Sequence, residues 1–162
     1  MNCQKTMSLD YCLLLEGVSA QACRQQLRRT AELRQVEGPS TAPGVIVLVA
    51  PALVVRLWNV QDSDDDLAIA TRHGVRPGVT AWLTQDKAAP WEQAQVSIAR
   101  VVGRLVDLTR GAALFYNTQG SRLELLKTAG VVRVRRDPDR VWTPVMLREL
   151  SLPYVEEELP LL

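Results

Sequence analysis

From Ser8 to Glu16 the chain reads SLDYCLLLE, a run of mostly apolar positions bounded by Gly17, which predicts a strand. Ser19 follows, and its side-chain oxygen can satisfy a free amide in the first turn of a helix. The spacing then changes. From Ala20 to about Gln35, Ala20, Cys23, Leu27 and Ala31 fall on one helical face while Arg24, Arg28, Arg29 and Arg34 fall mostly elsewhere, the pattern of an amphipathic helix resting on a core. EGPSTAPG, from Glu37 to Gly44, breaks that pattern with two prolines and two glycines.

Val45–Ala50 and Leu53–Val60 are strand-like runs, apolar at nearly every position and separated by Pro51 and Ala52, so they form a hairpin or one long bulged strand. Val79–Gln85 predicts another strand. Pro90 suits the first turn of a helix, and Trp91, Ala94, Ile98, Val101, Val102, Leu105 and Leu108 recur at spacings of three and four, with Gly111 as the expected terminator. Ala112–Asn117, Arg122–Lys127 and Val131–Arg136 are three more strands joined by glycine-containing turns. In the last of them Arg133 and Arg135 are expected to share one solvent-facing side. Thr143 and Pro144 open a short helix through Leu150, and a tail with Pro153 and Pro160 is expected to wrap the surface over residues 151–162. Adjacent strands interrupted by two longer helices give an α+β fold: a mostly antiparallel sheet with the two longer helices on one face and a short C-terminal helix.

With 162 residues, 47% of them hydrophobic, the chain is long enough for one core, so residues 1–162 are expected to form a single domain. A formal net charge of +1 leaves no global field to draw the protein toward nucleic acid or a membrane surface. Asp10 and Glu16 bracket the only hydrophobic run near the start, and no apolar segment approaches the roughly 20 residues of a membrane span, so the expected address is the cytoplasm. Cys3, Cys12 and Cys23 lack paired metal-binding or redox spacing and read as packing residues.

The most polar stretch is QDSDDDLAIATRHGVRPG, from Gln61 to Gly78. Asp62, Asp64 and Asp66 alternate as calcium ligands do, but Leu67 stands where that loop needs glycine and His73 where it needs a bidentate glutamate, so no metal is expected. A solvated loop whose aspartates start a helix near Leu67 is one reading, and a docking patch for a basic partner is the other. His73, the chain's one histidine, has no serine or cysteine nucleophile tied to it by any motif. Asp86 and Lys87 would point apart on a strand, Glu124 and Lys127 have the wrong parity to share one face, and GVRPG and NTQGS are turn chemistry rather than phosphate cradles. Arg133, Arg135, Arg136 and Arg140 beside Trp142 could touch phosphates, yet Asp137 and Asp139 interrupt them. Trp58, Trp82, Trp91 and Trp142 read as core or edge packing, with Trp91 on the apolar stripe of its helix. No cofactor and no catalytic residue emerges.

MSLDYCLLLEG from Met7 resembles the opening of the third immunity family of the swarm-inhibition-toxin systems of myxobacteria, whose members begin with a small residue, Leu, Asp or Glu, and Tyr. HGVRPGVTAWLTQDK from His73 is similar to the family's Gly, nearby Pro and strand ending in Asp-Lys, and the long helix, AALFYN and Trp142 before Pro144 continue the likeness to about Pro153. The chain departs from the family where aromatic residues would flank Gly74, having His73 and Val75 instead, and its start implies that Met1–Thr6 is a disordered extension. The resemblance implies a non-catalytic protein that binds and neutralises a cognate toxin domain of a polymorphic toxin system, protecting the producing cell and its kin. A regulatory or scaffold module and a small enzyme without a recognisable motif are the alternatives. On the immunity reading, a basic toxin surface would dock on Asp62, Asp64, Asp65 and Asp66, or on Glu156, Glu157 and Glu158.

Overall fold

A computed structural model describes residues 9–30, 33–36, 42–119, 122–136 and 142–162. The extension Met1–Thr6, Cys3, the breaker at 37–41 and Arg140 lie outside them. The strands are β1 (Asp10–Leu15), β2 (Arg34–Val36), β3 (Ile46–Ala50), β4 (Leu53–Asn59), β5 (Val79–Gln85), β6 (Ala113–Asn117), β7 (Arg122–Thr128), β8 (Val131–Arg135) and β9 (Tyr154–Glu157). The helices are α1 (Ala20–Thr30), α2 (Asp66–Arg72), α3 (Trp91–Leu108) and α4 (Pro144–Leu147). The nine strands form one sheet in the order β2-β3-β4-β5-β1-β6-β7-β8-β9, antiparallel throughout except for the parallel pair β8 and β9.

β1 lies near the middle, paired with β5 and β6, and is apolar at successive positions because both of its faces are covered. Tyr11, Leu13 and Leu15 point into the main core with the apolar stripes of α1 and α3, while Cys12 and Leu14 point into a second, smaller core under α2. Leu13, Leu14 and Leu15 are fully buried, each stabilising the fold by roughly 1.5–3 kcal/mol.

Ser19 caps α1 by accepting from the Ala22 amide at 3.1 Å, and the Asn59 side chain accepts from the Ala20 amide at 2.9 Å. α1 is shorter than its periodicity suggests: Arg34–Val36 leave the helical path and pair with Val47–Val49, taking their backbone hydrogen bonds from the free edge of β3 instead of from a further helical turn. β3 and β4 form a hairpin. Pro51 at its first central position and Ala52 at φ 72° at its second are the pattern of a type II turn.

α3 ends at Leu108, before Gly111, with Thr109 extended. Lys127, reaching across from β7, donates to the carbonyls of Val106 at 3.2 Å and Thr109 at 2.7 Å, and its cation suits the negative end of the helix. Gly111 serves another purpose, since a Cβ there would lie 3.0 Å from the Glu16 side chain. Trp91, expected on the apolar stripe, is 57% exposed: it is the first residue of α3, and the stripe reaches the core only from Ala94 onward.

The turn that follows α4 meets α3 at Gly103, where a Cβ would stand 2.4 Å from the Glu149 carbonyl oxygen. Gly103→Ala is a sign test of that contact. Helix propensity alone would stabilise the variant by about 1 kcal/mol, whereas the backbone clash is expected to destabilise it by about 1–3 kcal/mol. Urea denaturation should show a lower midpoint, and a raised one would mean that the Glu149 backbone does not pack there.

Candidate partner-binding face

The helices α1, α3 and α4 cover one face of the sheet completely enough to bury Leu48, Leu53, Val55, Leu57, Ala81 and Leu83. On the other face, α2 and the segment after it supply Ala70 and Val75, and the C-terminal residues supply Leu159 and Leu162, over Cys12, Leu14, Leu114, Tyr116 and Leu123. That cover ends on β5, where the half-buried Trp82 packs against its edge. On β3 and β4, Val47, Val49, Val54, Arg56 and Trp58 alternate with residues of the main core, so they point to the second face, and none of them joins either buried cluster.

Strand register places these side chains in rows. Val49, Val54 and Thr84 are neighbours in one row, Val47, Arg56 and Trp82 in the next, and Trp58 lies beside Thr80 in the third. Val47, Val54, Trp58 and Trp82 are half-buried, Val49 is 37% exposed, and Arg56 is exposed. The solvent face of an antiparallel sheet is ordinarily polar. Here it is aliphatic and aromatic, with Val49 exposed and its neighbours Val47, Val54 and Trp58 half-buried, which makes it a candidate contact surface. Tryptophan and arginine are the residues that most often dominate the energetics of such contacts.

The acidic turn borders this face. Pro43, Gly44, Val45, Trp58, Asn59 and Gln61 line a shallow cavity of about 350 Å³ at its end, and the aspartates begin at the next residue. Asp62 and Asp65 are exposed, while Asp64 accepts from the Gln61 amide at 2.9 Å and closes the turn. Asp66 has a different task. It accepts a hydrogen bond from the Tyr116 hydroxyl on β6, which fastens the start of α2 to the sheet. Burial, reinforced by the neighbouring Cys12 and Asp66, holds the Tyr116 phenol well above its ordinary value; burial, then Asp66, does the same to the Cys12 thiol.

Glu156, Glu157 and Glu158 are not brought to this place. β9 is the outer strand, five strand positions beyond β5, and Glu157 is paired there with Arg133 at 3.6 Å. Arg133 and Arg135 share a side, but it is the side along which the tail runs: Arg135 donates to the carbonyls of Leu123 at 2.7 Å and Pro160 at 2.9 Å, and Arg136 donates to that of Glu156 at 2.8 Å. The arginines with phosphate-binding potential are thus engaged in holding the last strand and the chain beyond it. Among the described residues no group of three or more His, Cys, Asp or Glu side chains could hold a metal ion, and no helix is long and apolar enough to cross a membrane.

A depression of about 760 Å³ lies at the β2–β3 border of the sheet between the β3–β4 turn and α3, with Arg34, Val49, Pro51, Glu92, Val96 and Arg100 in its walls. Its hydroxyl, Ser97, donates to the Pro51 carbonyl at 3.2 Å, and Arg100 is paired with Glu149 at 3.4 Å. His73 ends α2 on the opposite side of the sheet.

Against known families, a SitI3-like model matches residues 9–146. The chain belongs to the SitI3-like family. The match covers every strand but β9, running from β1 into α4, and agrees with the immunity-family resemblance carried by the β1, β5 and α3 segments. No curated protein and no solved structure matches the chain. For this SitI3-like protein the open face was missed in the sequence because Trp58 and Trp82 are indistinguishable there from core residues. The available signal was arithmetic: β3 and β4 are apolar on both sides, as β1 is, but two long helices cannot cover two faces of one wide sheet.

One buried group makes a measurable prediction. Glu124 is the extra residue of a bulge between the Phe115–Leu125 and Tyr116–Leu123 pairs, is fully buried, and neither carboxyl oxygen receives a hydrogen bond. Burial pushes its carboxyl above the ordinary 4.5, against the pull of Arg122, whose Nε lies 3.6 Å away, and of Arg135. The folded state therefore binds this proton more tightly than the unfolded state, and stability falls as pH rises from the unfolded value through the raised folded one. Glu124→Gln should be more stable than the parent at neutral pH, with the gain vanishing as pH falls below about 4.5. Urea midpoints across pH 3–8 check this; a gain independent of pH would show that Glu124 is not the titrating group.

Proposed function

We propose that this protein is an immunity protein that binds a cognate toxin domain made by the same cell and neutralises it by occupying its surface, acting without catalysis in the cytoplasm of the producing cell and its kin. The family match over residues 9–146 is the observation that carries this reading. The open, tryptophan-bearing sheet face supports it, because a protein whose task is to hold another needs an apolar centre that excludes water.

In this reading Asp62, Asp64 and Asp65 form an acidic rim that steers a basic toxin surface toward the face, with Asp66 retained by Tyr116 as a structural anchor. The alternative acidic group, Glu156 to Glu158, lies too far along the sheet to share that contact. The experiment is calorimetric and kinetic titration with the product of the adjacent open reading frame, inactivated by mutation. Tight one-to-one binding is expected, and absence of binding by a folded neighbour would overturn the immunity reading. Reversing Asp62, Asp64 and Asp65 to lysine should slow association by about tenfold at low salt and flatten its salt dependence, while reversing Glu156 and Glu158 should not. Equal effects from both sets would remove the steering role from the acidic turn.

A further inference from the structure

Arg56 is the sole charged side chain that β3, β4 and β5 present on the open face. It stands in the central row between Val47 and Trp82, with Val54 and Trp58 two residues away along its own strand. Its guanidinium donates to the Thr84 hydroxyl at 3.3 Å, and among the described residues it has no carboxylate partner. In the free protein water satisfies the remaining donors. In a complex that covers the face, the valines and tryptophans would strip that water away, and an unpaired guanidinium would be strongly unfavourable.

We propose that Arg56 is the specificity-determining centre of the interface, receiving an aspartate or glutamate side chain of the toxin inside a ring formed by Val47, Val54, Trp58 and Trp82. This rests on the immunity reading and adds the chemistry of the partner: a carboxylate set among apolar side chains. The planar guanidinium matches a carboxylate with two parallel hydrogen bonds, and the flanking aromatic groups shield the pair from competing water. A second copy of this chain is a poor occupant. Symmetric stacking of face on face would bring two guanidiniums into one apolar layer with no carboxylate from β3, β4 or β5 beside them, since the aspartates of the acidic turn lie at the rim. Nucleic acid is a poor occupant too, because one cation among apolar groups lacks the several phosphate contacts that drive such binding.

The test measures affinity for the inactivated toxin by calorimetry for the parent, Arg56→Glu, Arg56→Gln and Arg56→Lys, with circular dichroism and urea midpoints confirming that each variant folds. Arg56→Glu is expected to weaken binding by at least about 100-fold, Arg56→Gln nearly as much, and Arg56→Lys less, because it keeps the charge and loses the fork. A panel of single Asp→Lys and Glu→Lys changes over the toxin surface, titrated against Arg56→Glu, should contain one member that restores affinity. Parent-like binding by Arg56→Glu would overturn the inference while leaving the immunity reading intact. A parent protein that does not bind would overturn both. A parent that sediments as a dimer, which Arg56→Glu dissolves, would assign the face to a second copy instead.

Discussion

A sheet has two faces, and every strand made of apolar residues on both needs a cover on both. That constraint organises this molecule. β1 meets it fully, with α1 and α3 against Tyr11, Leu13 and Leu15 and α2 against Cys12 and Leu14. β3 and β4 meet it on one side only. Their Leu48, Leu53, Val55 and Leu57 are buried under helices, while Val47, Val49, Val54 and Trp58 have no place in either core. Hydrophobic burial is proportional to the apolar area withdrawn from water, so the uncovered half of the second face is a reserve of binding free energy that folding leaves unused.

Local polar contacts decide where that reserve ends. The hydrogen bond from Tyr116 to Asp66 sets α2 over β1 and β6, and so leaves β3, β4 and the outer part of β5 open. Arg135 and Arg136 hold the C-terminal chain along β8 and β9 at the opposite side of the sheet. The bond between Lys127 and the end of α3 belongs to the same scheme, because it fixes the long helix over the main core without any contribution to the open face.

Periodicity reveals elements whose two sides meet different surroundings. α3 was legible for that reason, as were the strands that flank it and the antiparallel pairing of neighbours. β2 was not, because three residues carry too little pattern to compete with an apparent helix, and only the exposed backbone of β3 makes them a strand. Trp91 was misplaced because helical spacing says which side a residue occupies but not how far along the axis the core extends. The acidic turn was visible as composition, yet the task of Asp66 under Tyr116, unlike the local bond of Asp64 to Gln61, depends on β6, about 50 residues away. The open face was the least visible part, since a strand that is apolar on both sides looks the same whether its second side meets a helix or a partner. Family resemblance reached further toward function than any single motif did, because a sheet face of valines and tryptophans carries no motif.

Hydroxyl-radical footprinting of the protein, alone and with the inactivated product of the adjacent open reading frame, reads the open face residue by residue, because oxidation reports the solvent access of each tryptophan separately. Trp58 and Trp82 on the open face should be oxidised in the free protein and protected in the complex, while Trp91, 57% exposed on the helix side, should react equally in both. Protection of Trp91 with no change at Trp58 and Trp82 would place the partner on the helices and contradict the account.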